Sequence, residues 1–183
     1  MKNQPGTPSA ADLRLLSEHL QYEVMMTFGL ARFLVETQGT VLNQLMSNAE
    51  IEAFTIHVRQ LIDFLWTDRP APSKSTDAFA SDYFALGEWA KLRPERPAIL
   101  NEALRRKVGW GVAHLTYDRA HSTVQDKQWQ PIALAQALAP AVICFVDNVD
   151  AGKLEARYLA DLRPWAESVL APTPAAVSTT AST

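Results

Sequence analysis

A chain of 183 residues can bury one sizeable core, and its 48% apolar and 20% charged residues are those of an ordinary soluble globular protein. A net charge of −3 supplies no global attraction to nucleic acid or to an anionic membrane, and the apolar runs stop short of the roughly 18 residues that span a bilayer. The lone cysteine, Cys144, excludes an internal disulfide, and the N-terminus lacks the apolar centre of a signal peptide, so the expected location is the cytoplasm, with no membrane partner.

Residues 1–8, with Pro5, Gly6 and Pro8, read as a disordered start. Ser9 and Asp12 then signal a first helix that runs to about Thr37, where Gly39 stops it. Its apolar residues Leu13, Leu16, Leu20, Val24, Phe28 and Ala31 advance in helical steps, and His19 and Glu23 form an i,i+4 pair beside them. Glu23 reads as a half-buried acid bonded to its neighbours or as a site acid. Thr40 to Ser47 reads as a short helix leading into the next element.

Ser47 to Trp66 reads as the central helix. Ser47 and Glu50 have capping-box spacing, so each side chain can satisfy the other's free backbone N–H. Ile51, Phe54, Val58, Leu61, Ile62 and Leu65 share one face, and further apolar residues extend it around most of the circumference. His57 falls inside that arc and reads as a core histidine with a satisfied hydrogen bond or as a site residue. Glu52, Arg59 and Asp63 line a second face, either solvated or turned toward the polar residues of another helix.

A loop follows from Thr67 to Thr76, and Asp77 to Phe84 reads as a short helix. Trp89, between the breakers Gly87, Pro94 and Pro97, reads as an anchor that packs an irregular segment onto the bundle, or else as an exposed stacking surface for a base or ligand. Pro97 suits the first turn of another long helix, with Leu100, Leu104, Val108, Gly111, Val112 and Leu115 as its core stripe. Gly109 and Gly111 cost about 1 kcal/mol each relative to alanine inside a helix, which points first to close helix–helix contact there, and otherwise to a local bend or backbone approach to a ligand. Asp126 to Pro131 is a turn. Pro131 and Pro140 divide the next apolar segment into two helices or one kinked helix, and Pro164 interrupts Leu154 to Leu170. The tail from Ala171 to Thr183 has the composition of a disordered segment. With no alternating strand pattern, the fold class is all-α: one bundle of five or six helices over residues 9–170.

The helix after Pro97 carries the most concrete chemical constellation. Lys107, His114 and Asp118 fall on one strip beside its apolar stripe, with Arg106 and Tyr117 on a neighbouring strip and Trp110 and His121 at the margin. An Asp118 carboxylate at i,i+4 orients the His114 imidazole, and a basic residue beside it suits an anion whose protons the histidine moves. His57 and Arg59 of the central helix complete this candidate catalytic set. A metal site is a further reading, from His19, His57, His114, His121, Glu23, Asp63 and Asp118, but the paired ExxH of di-iron bundles is absent and no cofactor is expected. The sequence contains no P-loop, GxGxxG, GxSxG, HExxH or paired CxxC.

Asn48 to Trp66 (NAEIEAFTIHVRQLIDFLW), Ser81 to Phe84 (SDYF), Trp89 and Lys107 to Arg119 (KVGWGVAHLTYDR) together resemble a family of uncharacterised bacterial helical proteins. Its pattern is approximately N-A-x-x-E-x-F-x-I-H-x-R-x-L-I-D-F, then D-Y-F, a tryptophan, and A-H-L-T-Y. The resemblance covers about a third of the chain and implies no known activity. The arrangement is also similar to HEPN-type bundles, whose members include metal-independent ribonucleases of toxin and defence systems. Their motif is an arginine, four to six residues and a histidine, usually assembled across a dimer. Here seven residues separate Arg106 from His114 and six separate Lys107 from it, so one residue departs in spacing and the other in type. Arg14 and His19 match the spacing on the first helix.

What the HEPN resemblance implies is a homodimeric accessory or defence protein, a degenerate ribonuclease that meets RNA along the basic stretch from Arg93 to Lys107. His114 then contacts the scissile phosphate region and Arg106 or Lys107 stabilises its developing charge. The competing expectation is a noncatalytic binding or scaffold bundle, whose polar strips organise the core or a dimer interface.

Overall fold

Ser9 starts the fold through the local bonds its sequence pattern predicts. Its Oγ accepts the Asp12 N–H at 3.2 Å, and the Asp12 carboxylate accepts the Ser9 N–H at 3.0 Å. In the computed structural model, residues 8–37, 44–69, 76–109, 112, 121, 123, 125 and 128–171 are described. Helix α1 (Ala10–Leu15) gives way at Leu16 to α2 (Ser17–Glu36), so the expected first helix is two abutting ones. Helix α3 is Gln44–Trp66. It is already formed before Ser47, which corrects the capping-box reading: Ser47 and Glu50 lie inside the helix, and of the expected lead-in Gln44–Ser47 belongs to α3 while residues 40–43 lie outside the described residues.

Next come α4 (Glu88–Leu92), α5 (Glu102–Val108), α6 (Pro131–Asn148) and α7 (Ala156–Glu167). Turns of 3-10 helix occur at Ala80–Tyr83, Ala98–Leu100 and Ala151–Lys153, and no strand occurs among the described residues. The architecture is all-α. The expected long helix from Pro97 opens instead as the turn at Ala98–Leu100. Asn101 then caps α5, its side-chain oxygen accepting the Leu104 N–H at 3.0 Å. Pro140 and Pro164 lie within α6 and α7 without ending them. Gly87 adopts φ +74°, the left-handed backbone that glycine tolerates, immediately before α4.

Helices α2 and α6 touch each other and both of the other long helices, α3 and α7. They form the diagonal of the bundle, and α3 is a flank rather than the centre its apolar circumference suggests. That circumference is not all covered: Leu45, Met46 and Ile56 of α3 are exposed. Phe145 of α6 sits at the middle of the core, in edge-on contact with Phe64, Tyr83, Phe84 and Trp89. Helix α6 also corrects the hydropathy reading, since by length and composition its 18 residues, of mean hydropathy 1.4, are enough to cross a membrane. Its apolar face is the core wall, where Leu134, Leu138, Val142 and Phe145 are buried.

Polar tethers bind the irregular segments to this core. Trp89 is buried and its indole donates to the Leu65 carbonyl at 2.8 Å, the anchoring role expected of it. Trp66 donates to the Pro94 carbonyl at 3.1 Å, and Lys153 to the Tyr83 carbonyl at 2.7 Å. Arg69 grips the buried Asp82 carboxylate with two bonds of 2.7 Å. Among the described residues, nothing stands within 4 Å of where a Cβ at Gly109 would be. Gly29 of α2 faces the Trp165 ring of α7, which a Cβ at that position would meet at 3.5 Å. Residues 1–7, 172–183, Gly111 and Leu115 lie outside the described residues.

Candidate functional site

The N-terminal half of α2 and the C-terminal half of α3 diverge enough to leave an open groove of about 850 Å³. Leu16, just before α2, and His19, Leu20 and Glu23 of α2 form one wall at helical spacing, and Arg59, Gln60, Asp63 and Phe64 of α3, with Thr67 just after it, form the other. Asp77, Ala78, Phe79 and Tyr83 contribute from the segment after α3, and Arg105 and Val108 from α5. The floor is apolar and the rim is charged, the usual make-up of a small-ligand cleft of this size.

The charges on the rim are paired across elements. Glu23 Oε2 lies 2.7 Å from His57 Nδ1, joining α2 to α3, and the Tyr22 ring meets the imidazole edge-on at 5.4 Å. A carboxylate at this distance places the ring proton on Nδ1. Asp63 lies 2.8 Å from Arg105 of α5 and 3.7 Å from Arg59, its own i,i+4 neighbour. Arg105 also meets Glu102 at 3.1 Å. Burial opposes the Arg105 charge, but Glu102 and Asp63 outweigh it and hold the guanidinium above its ordinary value. Arg96 behaves oppositely: burial, and next the nearby Arg105, lower its pKa.

The predicted site residues are not all drawn together. Arg59 lines the groove; His57 stands behind Glu23 and does not. Lys107 is directed elsewhere, its ammonium donating to the Gln128 carbonyl at 2.6 Å and lying 4.1 Å from the centre of the Trp129 ring. Arg106 is exposed on the last turn of α5 and has no ion pair among the described residues. His114 and Asp118, like Trp110 and Tyr117, lie outside the described residues. Glu23 is bonded to His57 of α3 and not, as the i,i+4 spacing suggests, to His19, which faces the groove exposed. Arg14 is exposed on α1. Of the metal reading's residues, His121 is exposed, and no group of three His, Cys, Asp or Glu side chains among the described residues is placed to hold a metal.

Comparison with family models, curated proteins and solved structures finds no match. The residues of the sequence pattern are therefore interpreted from their own contacts. In the described part, these contacts hold the bundle together. Phe54 is buried in the core, and Asp63 receives Arg105. Asp82 receives Arg69 and the Phe79 N–H, Tyr83 donates to the Leu13 carbonyl at 3.3 Å, and Phe84 stacks on Trp89. The basic stretch is likewise engaged: Arg93 with Asp68, and Arg105 with Asp63 and Glu102. Arg105 and Arg69 are the residues that sequence reasoning missed. Arg105 carried a usable signal, because Asp63 faces away from the α3 core stripe and needs a cation from elsewhere.

Proposed function

We propose that this chain is a noncatalytic helical binding protein whose groove between α2, α3 and α5 receives a small ligand. The observation that carries the reading is the pairing of candidate side chains among the described residues: His57 with Glu23, Asp63 with Arg105 and Arg59, and Lys107 with Gln128 and Trp129. What these pairs leave accessible is a cleft with an apolar floor, of a size suited to a ligand. A ligand-observed NMR screen of small amphipathic fragments tests it. Binding is expected, and it is lost in Gln60→Trp, which fills the groove mouth from an exposed helical position. Fragment binding that survives Gln60→Trp, in a folded protein, counts against the groove.

A second reading, a HEPN-like accessory or defence ribonuclease acting without metal, is favoured by Arg106. That residue is exposed, has no ion pair among the described residues and precedes the segment carrying His114. Its test is RNA cleavage in EDTA, lost in both His114→Ala and Arg106→Ala while the fold persists. A homodimer fits either reading, since Tyr22, Phe33, Leu45, Met46 and Ile56 leave exposed apolar surface on α2 and α3. Sedimentation across a concentration series tests that association. The single thiol supports a cytoplasmic location.

A further inference from the structure

The charge around the groove is uneven, and the imbalance says what kind of ligand suits it. Each carboxylate on the rim already has a basic neighbour. Glu23 is bonded to His57, Asp77 stands near Arg69, and Asp63 is shared between Arg105 and Arg59. At the α3–α5 end the balance tips to positive. Two guanidiniums, Arg59 and Arg105, line it there with one carboxylate, Asp63, while Arg96 and Glu102 stand near Arg105 outside the lining. Arg105 is held close by both acids. Among the described residues Arg59 has only the 3.7 Å contact to a carboxylate already occupied, and it is 42% exposed on the groove wall. A guanidinium so placed has donors to spare for a second, planar anion.

Farther round the groove-facing arc of α3 from Arg59 the wall becomes apolar at Phe64, and Leu20 and Phe79 add to that apolar lining. A ligand that satisfies both halves of the site carries an apolar body and one acidic group. The volume, about 850 Å³, suits a small molecule rather than a folded partner.

We infer that the groove binds a small amphipathic carboxylic acid, its carboxylate on Arg59 and its hydrocarbon on Leu20, Phe64 and Phe79. This rests on the groove being the binding site proposed above. It goes further by fixing the sign and number of charges on the ligand, and a cationic or neutral amphiphile of equal length is the discriminating comparison.

The test is calorimetric titration of the full chain with octanoate, octan-1-ol and octylamine, which share one tail and differ in head group. Octanoate is expected to bind at least about tenfold more tightly than either of the others, a difference of roughly 1.4 kcal/mol. Arg59→Gln should remove about that factor for octanoate and leave octan-1-ol unchanged, while Arg59→Lys retains part of it. Arg32→Gln, on the exposed part of α2 and paired with Glu36, serves as the control and should change nothing. Equal affinity for octanoate and octan-1-ol, or no loss in Arg59→Gln, overturns the acid specificity and leaves the groove as a binding site. Failure of all three compounds to bind overturns the groove reading as well.

Discussion

Glu23 and His57 are 34 residues apart in the chain, yet the Glu23 carboxylate lies 2.7 Å from the imidazole nitrogen. The contact ties α2 to α3 behind the groove and fixes which face of Glu23 the groove meets. Both side chains are mostly buried, Glu23 at 28% and His57 at 12% exposure, so the pair is only partly screened by water. A double-mutant cycle of Glu23→Gln and His57→Ala in urea denaturation should give a coupling energy of about 1–2 kcal/mol. Strictly additive losses would mean that the two side chains are neighbours without being partners.

Asp82 is the more demanding test of the packing account. Its side chain is 4% exposed and receives two bonds from Arg69 as well as the Phe79 N–H. Asp82→Asn leaves the Arg69 charge half-buried without its counter-ion, at a cost of about 3 kcal/mol. A thermal melt should show a drop of many degrees. A melting temperature within a degree or two of the parent chain would contradict the role assigned to the clamp.

Gly29 offers a change in the opposite direction. A Cβ there meets the Trp165 ring at 3.5 Å, an ordinary contact distance, and the position is inside a helix. Gly29→Ala should stabilise the protein by up to about 1 kcal/mol, because alanine loses less backbone entropy on folding than glycine. Destabilisation in the same melt would show that α2 and α7 pack more closely than this distance implies.

Alkaline pH should weaken the fold. Burial, and then Asp82, push the Tyr83 phenol well above the usual tyrosine range, and burial followed by Asp147 raises the Cys144 thiol, whose Sγ donates to the Leu92 carbonyl. As pH rises past about 8.5 for the thiol and about 10 for the phenol, these groups ionise first in the unfolded chain. The folded chain then holds more protons than the unfolded one, so stability falls with pH across that range. Urea midpoints from pH 8 to 11 should decline, with a shallower slope above pH 10 in Tyr83→Phe. An identical slope in that variant would remove Tyr83 from the explanation.

Much of the fold was legible because its signals are local. Ser9 and Asp12 cap a helix through bonds spanning three residues, and Trp89 among helix breakers needed a buried site, which Leu65 and Phe145 provide. The Ser47–Glu50 spacing misled because the same two residues fit the interior of a helix already formed at Gln44. Pro140 and Pro164 misled in the other direction, because packing against the core outweighs one lost backbone bond in each helix. Periodicity identified which face of α3 is apolar but not which neighbours cover it, so the diagonal of α2 and α6 was invisible. The candidate site was legible in part. Arg59, Asp63 and Glu23 were singled out, whereas the cation for Asp63 comes from Arg105, and Lys107 faces Trp129. Partners so far apart in the chain leave no local pattern.

The central claim is that the groove, with Arg59 on its wall, is the working surface, and not the basic last turn of α5. Its most direct test is a protein-observed map of amide chemical shifts, recorded as octanoate is added to isotopically labelled protein. The account predicts saturable shifts concentrated at Leu20, Arg59, Phe64 and Phe79, with the α6–α7 side unmoved. Shifts confined to Arg106, Lys107 and the exposed surface near them, or shifts with no saturation anywhere along the groove, would contradict it.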